Sequence, residues 1–231
     1  KGSDRALSAE HRLYIVYSMQ LSHARPNLST VVAEQIRERV VSGELPAGER
    51  VNEVRLAEGI GVSRTPLREA LTRLVGEGFL LAAPRRGYFV PPLDPSEVQQ
   101  LYVMRQFLDP AALRLGGSPP KSTLKRLRTM NREIERTRSP RKVIELDDEW
   151  HFLLLSSCDN QYLLNDIRRY MALTRRYEFA YFKHAQSVQV ATEEHEVILL
   201  ALEQGELDAA CAGLKQNMSS AVDPLIEWLS S

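Results

Sequence analysis

The sequence predicts a mostly α-helical protein in two parts: three short helices closed by a β-hairpin, then a larger all-helical bundle. Three observations carry this reading. Apolar residues recur at helical spacing through most of the 231 residues. Strand-like runs are confined to "FLLAA" (79–83) and "GYFVP" (87–91), joined by "PRR". A turn-rich stretch, "PPLDPSE" (91–97), separates the two regimes and marks a domain boundary. The expected organisation is an N-terminal arm or expression remnant at 1–27, a first domain at 28–92 and a second at 93–231.

Composition limits the function classes. At 43% hydrophobic and 26% charged, the chain can build cores and stay in water. No apolar run is long enough to cross a bilayer, and "KGSDRALSAE" lacks the basic-then-apolar pattern of a signal peptide. Two cysteines, Cys158 and Cys211, are too few for a disulfide framework and suit buried packing in a reducing compartment. A cytoplasmic protein with no membrane partner is expected. Thirty basic residues balance thirty acidic ones, which excludes a generally polybasic nucleic-acid binder but not a local basic face. Residues 28–92 hold nine arginines and no lysine against eight glutamates.

In chain order, "STVVAEQIRERVVSG" is a helix with Val32, Ile36, Val40 and Val41 inward, ended by Gly43. "SGELPAGERV" is a turn, and "VNEVRLAEGIG" a second helix ending at Gly61. The third helix runs from Ser63 to Glu77. Leu67, Ala70, Leu71, Leu74 and Val75 form its buried stripe. Ser63 suits the N-cap, its hydroxyl accepting a free backbone N–H, and Pro66 is tolerated in the first turn. Arg64, Thr65 and Arg68 are left on the opposite face, in the first two turns.

Three helices followed by a hairpin is the order of a winged helix-turn-helix. An exposed helix start bearing Arg64, Thr65 and Arg68 fits presentation to the DNA major groove, where arginine forks onto guanine and threonine bonds phosphate or touches a thymine methyl. Arg85 and Arg86 at the hairpin tip suit a wing along the minor groove, with Gly87 allowing close backbone approach. A merely solvated charged face is the competing reading of the helix; the tight turn, the short preceding helix and the basic hairpin together outweigh it.

With these residues in place, "LAEGIGVSRTPLREALTRLVGEGFLLAAPRRGYFV", preceded by "IRERVVSGELPAGERVNE", resembles the DNA-binding domain of GntR-family bacterial transcription regulators. The resemblance covers roughly residues 28–92. It implies that Ser63, Arg64, Thr65 and Arg68 contact operator DNA, with Arg86 and Gly87 on the wing.

Beyond Pro95 nearly everything reads as helix, interrupted at "GGSPPKS" (116–122), "RSPRK" (138–142) and Gly205. In the first of these helices Val98, Leu101, Tyr102, Met104 and Leu108 fall mostly on one face. Asp147 and His151 are four apart and share a helix face, and His195 follows on another helical segment. A carboxylate and two imidazoles converging in a bundle suit zinc, nickel or manganese. The same residues also suit an ordinary buried polar cluster. Arg105 fits a bidentate grip on a carboxylate or an interhelix salt bridge. Asn160 reads as a cap, Trp150 and Trp228 as packing, and His184 has no ligand role.

This half resembles the FadR-type C-terminal domain, FCD, of the same family, through "LYVMRQFLD", "DDEWHFLLLSSCDNQYL" and "EEHEVILLALEQGELDAA". The resemblance implies a metal held by Asp147, His151 and His195, with a fourth place in "GLKQNM" where this chain has Asn217 instead of His. It also implies an Arg105 facing the effector cavity. The expected function is a ligand-responsive transcription regulator, a homodimeric repressor of double-stranded operator DNA modulated by a small organic acid. A metal-responsive regulator is the alternative. A metal-dependent hydrolase on the same cluster lacks any nucleophile–base motif, so the chain is expected not to be an enzyme.

Overall fold

The computed structural model describes residues 27–182 and 189–231. The arm expected at 1–27, apart from Asn27, and His184 lie outside the described residues. The first part follows the expected order. Helix α1 (Leu28–Val41) is capped by Asn27, whose side chain accepts from Ser29 N, and it buries Val32, Ala33, Ile36, Val40 and Val41. Helix α2 (Glu53–Ile60) is capped by Asn52 and stopped by Gly61 at φ 79°. Helix α3 (Arg64–Glu77) buries Leu67, Ala70, Leu71 and Leu74 and stops at Gly78 in the left-handed region. Strands β1 (Leu81–Ala83) and β2 (Gly87–Phe89) pair antiparallel, Leu81 opposite Phe89 and Ala83 opposite Gly87.

Two local expectations are corrected here. Ser63 stands at the N-cap of α3, but its side chain makes no capping bond. A cap oxygen bonds the N–H of the second or third helical residue, and the third is Pro66, which has none. The strands are also shorter than 79–83 and 87–91. The N–H groups of Phe79 and Leu80 return to Leu74 O at the end of α3, and both side chains are buried in the core. On the far side of β2 the chain at Arg50 adds an isolated bridge to Phe89, and Val51 N donates to Tyr88 O at 2.8 Å.

The second part comprises α4 (Pro95–Gly116), α5 (Lys121–Arg136), α6 (Pro140–Leu154), α7 (Gln161–Phe182), α8 (Gln189–Glu203), α9 (Leu207–Ser220) and α10 (Val222–Ser230). Asp94 caps α4, accepting from Ser96 N at 2.8 Å, and Gly205 turns α8 into α9 at φ 79°. Asn160 accepts from Leu163 N at the start of α7. The expectation that Met104 points inward is overturned. The buried stripe of α4 is Val98, Leu101, Tyr102, Arg105, Asp109, Ala112 and Leu113. That set keeps helical period, and Met104 falls outside it, 38% exposed.

Two hydrophobic cores result. One belongs wholly to the bundle, around Trp150, Leu127, Ile167 and Leu199. The other contains the interior of the first part together with Val98, Leu101 and Tyr102 of α4, Leu173 and Tyr177 of α7, and Leu225 of α10. Helix α7 carries the polar ties as well. Arg176 donates to Pro91 O at 2.6 Å, Tyr177 Oη accepts from Asp94 N at 3.3 Å, and Arg169 reaches Gly76 O and Glu77 O at the end of α3.

At Gly116 the backbone of α4 meets the turn after α6 so closely that a Cβ would lie 2.6 Å from Cys158 N and 2.7 Å from Ser157 C. Gly76, inside α3, has nothing within 4 Å of that position. Gly116→Ala is therefore expected to lose about 1–3 kcal/mol of stability through backbone displacement. Gly76→Ala should gain about 0.4–1 kcal/mol from the reduced freedom of the unfolded chain. Urea denaturation of both variants checks the opposite signs.

Candidate functional site

Two surfaces carry chemistry. On the first part, Ser63, Arg64, Thr65 and Arg68 are all exposed, as are Arg85 and Arg86. The fold brings the α3 residues and the wing to one side. Thr72 Oγ1 and Tyr88 Oη lie 3.2 Å apart, joining α3 to β2. Arg85 takes φ 60°, and Arg86 N donates to Ala83 O at 3.0 Å to close the tip. Gly87 sits at φ 93°, with the Arg50 guanidinium 3.6 Å from where a Cβ would stand. Arg68 Nε bonds Glu53 Oε2 at 3.1 Å while its side chain stays 67% exposed. Sequence reasoning missed Arg50, which rims one surface depression with Arg64 and Arg68. Its signal was faint: an arginine just ahead of a capping asparagine.

Inside the bundle, Asp147, His151 and His195 converge, with their ligand-type atoms all within 4.8 Å of one another. Asp147 and His151 are adjacent on α6, and α8 brings His195 against them. Both imidazoles are buried, at 1% and 0% exposure. His151 Nε2 lies 3.7 Å from Asp147 Oδ2, and His195 Nε2 lies 3.6 Å from Asp147 Oδ1. These are too long for hydrogen bonds.

The protonation of His195 follows from its neighbours. Asn131 donates from Nδ2 to Thr192 O at 2.9 Å, so its Oδ1 faces His195 Nδ1 at 3.0 Å and takes that nitrogen's proton in a hydrogen bond. Nε2 is then a bare lone pair, buried and without a hydrogen-bond partner among the described residues. Trp150 stacks on the His195 ring, centroids 3.7 Å apart and planes within 7°. Asn131 and the ring role of Trp150 were invisible in the sequence, since nothing local marks contacts between α5, α6 and α8.

Burial pushes the His195 pKa down to about 3 and lowers His151 as well, with Arg105 and His195 adding to the effect. Asp147 moves the other way, up to about 8, through burial and then through Glu178 and Asp148. Its side chain is 31% exposed and lines the cavity beside it.

That cavity, about 190 Å³, takes in Asp147, His151, Arg105, Glu178, Glu194 and Asn217 among its polar lining. The salt bridge of Arg105 is neither between helices nor on the surface: its partner Asp109 lies one turn along the same helix, α4. Arg105 lines the cavity, and its Nη2 is paired with Asp109 Oδ2 at 2.9 Å in a buried bridge. Asn217 is 5% exposed. Its Nδ2 donates to Glu194 Oε2 at 2.8 Å, leaving Oδ1 buried with no partner among the described residues.

The donor set fits a divalent ion. Bonds of ~2.1 Å at tetrahedral angles hold ligand atoms roughly 3.4 Å apart, close to the 3.6 and 3.7 Å between Asp147 and the two imidazoles. The bond from Asn131 to the far nitrogen is the outer support that metal-binding histidines use. An ion there would be a Lewis acid facing the cavity.

Comparison with known proteins bears on both parts. Residues 28–90 match the family described as bacterial regulatory proteins, gntR family, and residues 100–220 match the FCD domain. The Nta operon transcriptional regulator of Aminobacter aminovorans is 33% identical over 190 residues, 81% of this chain and 89% of the relative. The HTH-type transcriptional repressor RspR of Escherichia coli (strain K12) is 25% identical over 203 residues, 86% of this chain and 89% of the relative. Among solved structures, E. coli McbR/YncC superposes with TM-score 0.75 at 20% identity, covering 89% of this chain and 100% of that one. A putative GntR regulator from Rhodococcus sp. RHA1 gives 0.72 at 21%, covering 86% and 97%. These last two likenesses are of fold.

The raised pKa of Asp147 has a sign that can be tested. The folded, metal-free protein holds a proton at Asp147 that the unfolded chain has released above pH 4, so this group's contribution to stability falls as pH rises from about 4 to about 8. In chelator-treated protein, Asp147→Asn should be more stable than the parent at pH 8, with the difference shrinking toward pH 5. Denaturation midpoints at the two pH values check this.

Proposed function

Because this chain belongs to the gntR family of bacterial regulatory proteins and carries an FCD domain, we propose that it is a ligand-responsive transcriptional repressor acting in the cytoplasm as a homodimer. The division we propose is a DNA-binding head at 28–92 and an effector domain at 93–231. The observation that carries the reading is the pairing of an exposed arginine face on α3 with a partly enclosed cavity in the bundle, apolar-walled but lined by Arg105, Asp147 and His151, joined by α7. Ser63, Arg64, Thr65 and Arg68 meet operator bases and phosphates, with Arg50 beside them and Arg86 and Gly87 on the wing. A symmetric dimer reads a roughly palindromic operator. Met104, Phe107 and Leu115 leave an exposed apolar stripe on α4, which supplies a face for self-association. The effector is a small organic acid held by Arg105. Its binding shifts the heads only insofar as it favours one arrangement over the other.

The DNA assignment is tested by Arg64→Ala and Arg68→Ala. Each should weaken specific operator binding by about 1–3 kcal/mol, the worth of one bidentate base contact, with oligomeric state unchanged by light scattering. Operator affinity equal to the parent in both would remove α3 from the interface.

Asp147, His151 and His195 hold zinc, nickel or manganese, with Asn217 a weak fourth donor. Asn217→His should tighten zinc or nickel at least tenfold by calorimetry, since imidazole is a far better donor than an amide oxygen. His195→Ala should abolish binding. No heat from the parent or from Asn217→His would exclude a metal. A metal-responsive regulator is the second reading, favoured by the bare Nε2 of His195. Operator affinity that changes on adding the ion alone would support it.

A further inference from the structure

We infer that the cavity is built for a ligand that carries an ammonium group as well as an acid, an amino-acid-like zwitterion rather than a simple carboxylate. This rests on the reading of the cavity as the effector site. It starts from a charge imbalance. Arg105, the one arginine in the lining, is already paired with the buried Asp109. Asp147 is answered by whatever ion or proton it holds. Glu178 and Glu194 remain; Arg105 and Arg175 attract Glu178 through space without bonding to it, and among the described residues neither glutamate has an ion-pair partner in the lining. Among the described residues Glu178 accepts from Tyr102 Oη at 2.7 Å. Glu194 accepts from Asn217 Nδ2 and Ser220 Oγ, each at 2.8 Å. A divalent ion on Asp147 and the two neutral imidazoles would leave one positive charge to answer the two glutamates, so the lining stays negative.

Three buried atoms of the described lining lack hydrogen-bond partners: His151 Nδ1, and two that say what is missing. Asn217 Oδ1 is a buried acceptor with no donor among the described residues. Arg105 Nε is a buried donor with no acceptor among them. An unmade bond at a buried polar atom is costly, so a ligand that supplies both a donor and an acceptor gains from each. Ammonium N–H groups suit Asn217 Oδ1, Glu178 and Glu194. A carboxylate suits Arg105 Nε. An amine-free acid would answer the arginine and leave two carboxylates and an amide oxygen facing its own negative charge. The volume of about 190 Å³ is below the ~300–1,000 Å³ of sites for drug-sized ligands, and the walls include Val143, Ile144, Met218 and Leu225. The ligand is therefore small, with a short apolar body.

The test uses the full-length chain, treated with chelator and dialysed so that free metal does not bind the probes. The standard amino acids are each compared, by thermal shift and then calorimetry, with the acid of the same skeleton lacking the α-amine: valine with isovalerate, glutamate with glutarate. At least one amine-bearing member should bind tenfold or more tightly than its counterpart. Glu178→Gln and Glu194→Gln keep the shape and the capacity to hydrogen-bond. Each should shrink that ratio severalfold while leaving the amine-free acid's affinity equal or higher, a gain that simple structural damage would not give. Equal or better binding of the amine-free member in the parent, a ratio that survives both substitutions, or no shift with any pair overturns the inference. Operator binding separates it from the reading beneath it. Amine-free acids that bind and alter operator affinity would overturn the zwitterion and keep the regulator. Amine-dependent binding with operator affinity unchanged would do the reverse.

Discussion

The hydrogen bond from His195 Nδ1 to Asn131 Oδ1, 3.0 Å long and fully buried, decides the state of the polar interior. Asn131 cannot turn over, because its amide nitrogen is committed to Thr192 O. The imidazole must therefore present a bare Nε2 toward Asp147. Trp150, stacked on the ring, fixes its plane and denies it water. Three helices are held in register by this one arrangement: α5 through Asn131, α6 through Trp150 and Asp147, and α8 through His195. A protein interior normally satisfies its buried polar atoms. Here the pattern of those left over, lone pairs around Asp147 and in the cavity beside it, defines what the bundle is able to receive.

Helix α7 touches both that interior and the first part. Asp148, the neighbour of Asp147 on α6, is ion-paired with Arg175, and Arg175 also lies 4.0 Å from Glu38 on α1. One residue further, Arg176 holds Pro91 O at the junction. Two residues beyond that, Glu178 lines the cavity. A change in charge or position near Asp147 thus meets, within a single turn of helix, the side chains that tether the head. The exposed pairs contribute little to stability individually.

The head was legible because its determinants are local. The buried stripe of α3, the glycine stops and the basic hairpin tip all lie within a few residues of the features they specify. Where local reasoning failed, a specific neighbour was the cause: Pro66 removed the N–H that Ser63 would have capped, and Phe79 and Leu80 were drawn into the core rather than the sheet. The cluster was half legible. Asp147 and His151 share one helix face by spacing alone, but Asn131 meets its partners across more than sixty residues of chain, and Glu178 and Glu194 join one cavity only through the packing of α7 and α8. Met104 shows the same limit, since period alone does not choose which apolar stripe of a long helix turns inward.

The hydrophobic cluster that fills the head does not end with the head. It includes Leu173 and Tyr177 from α7 and Leu225 from the last helix. On the ribosome the head emerges before these residues, which follow it by about 80 to 130 positions. Contacts of such sequence separation form slowly, and apolar surface awaiting them is prone to aggregate. The apolar surface of the head that Leu225 covers stays open until α10 is made. Closure of that cluster is thereby tied to synthesis of α10, and a chain truncated before α10 would leave part of it uncovered.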